Sequence, residues 1–154
     1  MMLDNSDSIL VQWCHNRIFF TGFCSWAIAQ TIKVILGVMR ERRFNFRWFV
    51  GSGGMPSSHA SLVTGLTTAL GLYYGFNSGI FALSFAFTMV VMFDAQGVRR
   101  QSGHQAEALN KIMDDLYANR GVKEERLKEL FGHTPVEVFT GGLVGIVVAF
   151  LFYR

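Results

Sequence analysis

From Ala60 to Phe93 the chain carries not one Asp, Glu, Lys or Arg. As a single helix that run would extend about 50 Å, at roughly 1.5 Å per residue, too long for one passage through a hydrocarbon layer of about 30 Å. It must fold back on itself, and "YGFNSG" (Tyr74–Gly79) supplies the turn residues. The run therefore reads as two short crossings in a tight hairpin. Two other segments have the same character. Ile18–Met39 carries one charge, Lys33, and Val138–Tyr153 carries none. The chain is 51% hydrophobic and 16% charged, against about 25% charged in a soluble domain. Too few polar side chains remain to coat a soluble α-helical fold.

The expectation is an all-α polytopic membrane helix bundle forming a single domain over 1–154. Four crossings are expected near 18–39, 58–75, 79–96 and 136–153, with a cytoplasmic helical loop over 97–134. In that loop "QAEALNKIMDDLYANRG" sets Ala108, Ile112 and Leu116 at helical spacing, with Leu109 and Met113 beside them. Gly121 is the expected C-cap. "KEERLKELFG" reads as a second short helix ending at Gly132. The start, "MMLDNSDS", lacks the basic opening of a signal peptide. Cys14 and Cys24 make neither a disulfide framework nor a metal motif.

Charge sets the orientation. Arg40, Arg42, Arg43 and Arg47 follow the first crossing, and Arg99, Arg100, Lys111, Arg120, Lys123, Arg126 and Lys128 fill the long loop. The opposite side has Arg17, the Tyr74–Gly79 turn and Arg154. The positive-inside rule puts the arginine-rich side in the cytoplasm and both termini outside.

The two prolines of the chain each open a helix beside a histidine. In "SGGMPSSHAS", Pro56 is expected at the first helical position, with Ser57, Ser58 and His59 in the first turn. A helix start offers amide hydrogens and partial positive charge, and Gly53 and Gly54 permit close backbone approach, so the stretch suits phosphate. An ordinary serine-capped helix is the plain alternative. In "FGHTPVEVF", Thr134, Pro135 and Glu137 fit a capping box, with His133 just ahead of the helix. Glu137 can cap the helix, orient His133 through a hydrogen bond, or do both.

Lys33 sits in an otherwise uncharged crossing, where an ionisable group needs a partner, a function or a snorkelling route to the interface. Arg40 lies about two helical turns further on, on roughly the same face. Asp94 ends the third crossing and is a candidate charge partner for Lys33 or a nearby arginine. Arg99 and Arg100 add guanidinium donors suited to phosphate oxygens, or to lipid headgroups. Two histidines can divide phosphoryl transfer: one attacks phosphorus, and the other protonates the leaving oxygen. Nearby cations stabilise the transferring group, and no metal or other cofactor is required.

"KVILGVMR", "MPSSH" and "GHTPVE", in that order, resemble the three signatures of the type 2 phosphatidic acid phosphatases, α-helical membrane enzymes related to vanadium-dependent haloperoxidases. The wider pattern of "GGMPSSH", "MFDAQGVRRQSGHQAEALN" and "LFGHTPVEV" resembles the divergent branch of that family, from about Gln30 to the end. The resemblance implies that His133 is the nucleophile and His59 the general acid. It makes Lys33, Arg40, Ser57 and Ser58 phosphate-binding residues. Three positions depart from the pattern. Glu41 follows Arg40 where proline is usual, Ser58 stands for glycine, and Glu137 stands for aspartate. The Ser-Arg part of the third signature is missing, with Leu127 at the arginine position and Arg126 one residue away. Arg99 or Arg100 is the expected substitute.

The activity implied is hydrolysis of a lipid phosphomonoester or pyrophosphate through a phosphohistidine at the cytoplasmic face. The partners implied are a lipid phosphate and the bilayer, with no nucleic acid. "GGLVG" (Gly141–Gly145) allows close helix packing within the chain or between copies. The rival readings are an inactive phosphatase-like protein that binds anionic headgroups or protein partners, a metal-dependent hydrolase using His59, Asp94, His133 and Glu137, and a transporter built on Lys33 and Asp94.

Overall fold

The computed structural model describes residues 11–12, 15–42, 54–117 and 133–153; within them, the side chains of 98–102, 104 and 114–117 are outside the description. Among the described residues five helices with both ends described follow in order: α1 (Arg17–Glu41), α2 (Ser58–Tyr74), α3 (Gly79–Gln96), α4 (Val98–Tyr117) and α5 (Pro135–Phe152). Among the described residues there is no strand. The protein is a helical membrane bundle. The expected second loop helix, "KEERLKELFG", and the expected C-cap of the first, Gly121, lie outside the described residues, as do Cys14, Arg43, Arg47 and Gly53.

Each bundle helix starts where the sequence offers a polar cap. Asn16 Oδ1 accepts from Phe19 N at 3.0 Å, Ser57 Oγ from Ala60 N at 3.4 Å, and Ser78 Oγ from Phe81 N at 3.3 Å. α1 ends with Arg42 in the left-handed region, its N–H on Val38 O at 2.8 Å. The expected hairpin turn lies at Gly75–Ser78. Gly75 takes φ +90°, and its carbonyl accepts from both Ser78 N and Ser78 Oγ.

Three helices, α1, α3 and α5, are long and apolar enough to cross a membrane. The fourth expected crossing, α2, has 17 residues and is rich in Ser, Thr and Gly. It packs against α1, α3 and α5 together. That setting explains its composition, because a helix enclosed by its neighbours needs no lipid-facing apolar surface. Its buried hydroxyls reach each neighbour in turn. Ser61 Oγ donates to Ser25 O of α1 at 2.8 Å, and Thr64 Oγ1 donates to Gly142 O of α5 at 3.0 Å. Thr67 and Thr88 share a hydrogen bond of 2.8 Å, and Thr88 Oγ1 donates to Val63 O at 3.2 Å, joining α3. Lipid supplies little hydrophobic drive between helices, so such bonds and close contact hold the bundle.

The helices alternate in direction. Arg17 Nη2 donates to Phe152 O at 2.9 Å and its guanidinium lies 5.2 Å from the Tyr153 ring centroid, so α1 begins where α5 ends. At the other end, Ser57 N donates to Glu137 O and His133 N to Ala95 O, so α5 begins beside the start of α2 and the end of α3.

The "GGLVG" glycines pack within the chain. A Cβ on Gly145 would collide with Ser61 O and Thr64 Oγ1, and one on Gly141 with the Ser57 backbone. By contrast, a Cβ on Gly79 would meet nothing within 4 Å. Gly145→Ala is expected to lower stability by about 1–3 kcal/mol through overpacking, and Gly79→Ala to stay within about 0.5 kcal/mol of wild type. Unfolding in mixed detergent–denaturant micelles checks both.

Candidate active site

Three helix ends meet around His133. Thr134 caps α5, its Oγ1 accepting from Glu137 N at 3.4 Å, while Glu137 Oε2 accepts from Thr134 N at 3.1 Å. This is the expected capping box, with Pro135 at the first helical position. The same Oε2 lies 3.0 Å from His133 Nδ1. Glu137 therefore both caps the helix and holds the imidazole. An ionised carboxylate only accepts, so Nδ1 is the ring nitrogen that carries the hydrogen in this contact, and in the neutral imidazole Nε2 then holds the lone pair. His133 is 5% exposed, and its backbone N–H donates to Ala95 O at 3.2 Å. His133 is thus held twice, its imidazole by a carboxylate on α5 and its backbone by the last turn of α3.

The second helix start is joined to the first through the backbone. Ser57 N donates to Glu137 O at 2.9 Å, a contact that requires Gly141, with no Cβ, against the Ser57 backbone. Ser57 is fully buried and is the N-cap of α2, so the helix starts at Ser58. Pro56 therefore stands one position before the cap, not at the first helical position as expected. The reason is local: the Ser57 hydroxyl is the better cap, and it satisfies Ala60 N. Ser58 is also buried, while His59 in the same first turn is exposed.

Lys33 reaches this place from α1. Its aliphatic stem lies over Gly54, where an added Cβ would come within 3.1 Å of Lys33 Cε. Gly54, at φ +90°, thus admits the Lys33 stem. Glu137 acts electrostatically on the Lys33 ammonium. The sequence offered Asp94 as the charge partner of Lys33; the structure adds Glu137, distant in the chain and invisible to spacing. Asp94 is half-buried beside Ala95, next to the carbonyl that holds His133. Arg40 is exposed about 10 Å further along α1 than Lys33. Arg99 and Arg100 belong to the first turn of α4, and their side chains are outside the description, as are Arg126 and Leu127.

His133, Glu137, the capped Ser57 turn and Lys33 therefore converge at one end of the bundle. One participant carried no usable sequence signal: Ala95 acts through its carbonyl. Gly141, read as a packing glycine of "GGLVG", acts through what it lacks.

Residues 14–148 match the family described as "Divergent PAP2 family". The chain belongs to that family. A relative from Bacillus subtilis (strain 168), "Uncharacterized membrane protein YuiD", is 43% identical over 133 residues, covering 78% of this chain and 83% of the relative. No solved structure matches the chain. In this member of the divergent PAP2 family the "PSSH" and "GHTPVE" segments sit at adjoining helix starts, as a shared site requires. Membership agrees with the resemblance read from the same segments.

The His133–Glu137 contact has a thermodynamic consequence. A double-mutant cycle of His133→Ala and Glu137→Ala is expected to give a coupling of about 0.5–3 kcal/mol in unfolding free energy. Strict additivity would mean that the two side chains do not support one another.

Proposed function

We propose that the protein is a metal-independent lipid phosphate phosphatase working through a phosphohistidine at the cytoplasmic membrane face. One observation carries the reading. A buried histidine is held through Nδ1 by a carboxylate, at a helix start hydrogen-bonded to the turn that bears His59. In the neutral form that tautomer leaves the lone pair on Nε2, the nitrogen that would act as nucleophile.

In the first step His133 Nε2 attacks phosphorus and the N–P bond forms. The P–O bond to the lipid alcohol breaks, and His59 donates its proton to the leaving oxygen. In the second step water attacks phosphorus, gives a proton back to His59, and the N–P bond breaks to release inorganic phosphate. Lys33 and the arginines of the same end, Arg40, Arg99 and Arg100, bind phosphate oxygens, and the α2 start contributes its dipole. Ser57 shapes that start, and Ser58 lies in its first turn. Glu137 orients His133 and balances the imidazolium. The substrate is a phosphomonoester or pyrophosphate on a lipid, with glycerolipid phosphates favoured by the arginine-rich side being cytoplasmic.

The departure at Leu127 favours a second reading, an inactive relative that binds anionic headgroups without cleaving them. Phosphate release separates the two. Purified protein with chelator is offered phosphatidate, phosphatidylglycerophosphate and polyprenyl phosphates. Release is expected from at least one, with loss in His133→Ala and a fall of about 10²–10⁴-fold in His59→Ala. The His59→Ala loss should shrink on an aryl phosphate, whose leaving group needs no proton. Release unchanged in both histidine variants would sink the phosphohistidine. No release by folded wild-type protein would favour the headgroup-binding reading.

A further inference from the structure

α4 has three distinct faces. Gly103 and Asn110, two turns apart, are buried. Glu107 and Lys111 pair at 3.0 Å on a second face. Leu109 and Ile112 lie roughly opposite that pair and are 48% and 54% exposed. Among the described elements, α4 packs only against α3. The helix is strongly amphipathic, and its apolar stripe is turned away from the charge pair and away from the buried face.

The stripe belongs to the helix that follows directly on a helix long and apolar enough to cross a membrane. α3 exposes Leu83, Phe87, Val90 and Phe93 along its length. The helix is interrupted at Gly97, and α4 starts at the next residue. The start of α4 is thereby fixed at the level where α3 leaves the apolar layer. We propose that α4 lies on the bilayer surface at the rim of the bundle. Its Gly103–Asn110 face meets protein, its Leu109–Ile112 face enters the headgroup–acyl boundary, and its Glu107–Lys111 face meets water. Each face then has the medium its chemistry needs. The occupant is the bilayer itself, whatever the headgroup charge, because the formal charges of this helix cancel, Arg99, Arg100 and Lys111 against Glu107, Asp114 and Asp115.

This placement does not depend on the phosphatase reading, but it bears on the same site. Ala95 O, which holds His133 N, lies two residues before the Gly97 break. The start of α4 therefore lies beside the turn that holds His133.

The test uses the full chain with Cys14→Ser and Cys24→Ser, carrying one cysteine at a time: Glu107→Cys, Leu109→Cys, Lys111→Cys or Ile112→Cys. Each is labelled with an environment-sensitive dye and reconstituted into phosphatidylcholine vesicles. Quenching by shallow nitroxide-labelled lipid and by aqueous iodide is measured in parallel. For an interfacial helix, lipid quenching at 109 and 112 should exceed that at 107 and 111 by about twofold or more, with iodide reversing the order. Equal lipid quenching at all four positions would overturn the proposal. So would shielding of 109 and 112 from both quenchers, which would mean that protein covers the stripe. Disulfide formation between copies through Ile112→Cys, without lipid quenching there, would assign the stripe to a second copy instead. None of these readouts requires phosphatase activity, so the two readings can fail separately.

Discussion

Ser57 N–H donates to the carbonyl of Glu137, and the absence of a side chain on Gly141 lets the two backbones come close enough for it. The rest of the site depends on that contact. It brings the cap of α2 against the first turn of α5, so two segments far apart in sequence share one place. Glu137 contributes its carbonyl to this bond and its carboxylate to Thr134 N and His133 Nδ1. One residue therefore sets the helix start, the imidazole orientation and the spacing of the two helices.

The interior that supports this joint is polar and small rather than oily. Ser25, Ser61, Thr64, Thr67 and Thr88 are buried, and each hydroxyl is hydrogen-bonded. Large apolar residues such as Phe85, Phe93, Leu143 and Phe150 are exposed on the outer helices. In water this distribution would be inverted. In a bilayer it follows from the solvent: lipid accepts the phenylalanines at no cost, whereas close backbone packing needs glycine and hydroxyl side chains.

The helices were legible in the sequence because length, charge and caps all act locally. The Ala60–Phe93 run demanded a hairpin, and Tyr74–Gly79 supplied its turn. The Thr134–Glu137 box was likewise readable from four residues. What could not be read was the meeting of distant segments. Nothing about Lys33 announces Glu137 as an electrostatic partner, and Ala95 carries no side-chain chemistry to mark its carbonyl. Hydropathy does not separate a helix facing lipid, such as α3, from one enclosed by its neighbours, such as α2. At the start of α2 the serine cap prevails over the proline preference for the first helical position, so Pro56 stands ahead of Ser57.

At the end of the bundle away from His133, Arg17 holds the start of α1 to the last turn of α5 through Phe152 O and the Tyr153 ring. The helical path thus closes on itself, and its entry and exit lie side by side. Chain joined ahead of Arg17 or beyond Tyr153 sets out from the face opposite His59 and His133. An appended domain, tag or tether would begin its path with the thickness of the bundle between it and the site.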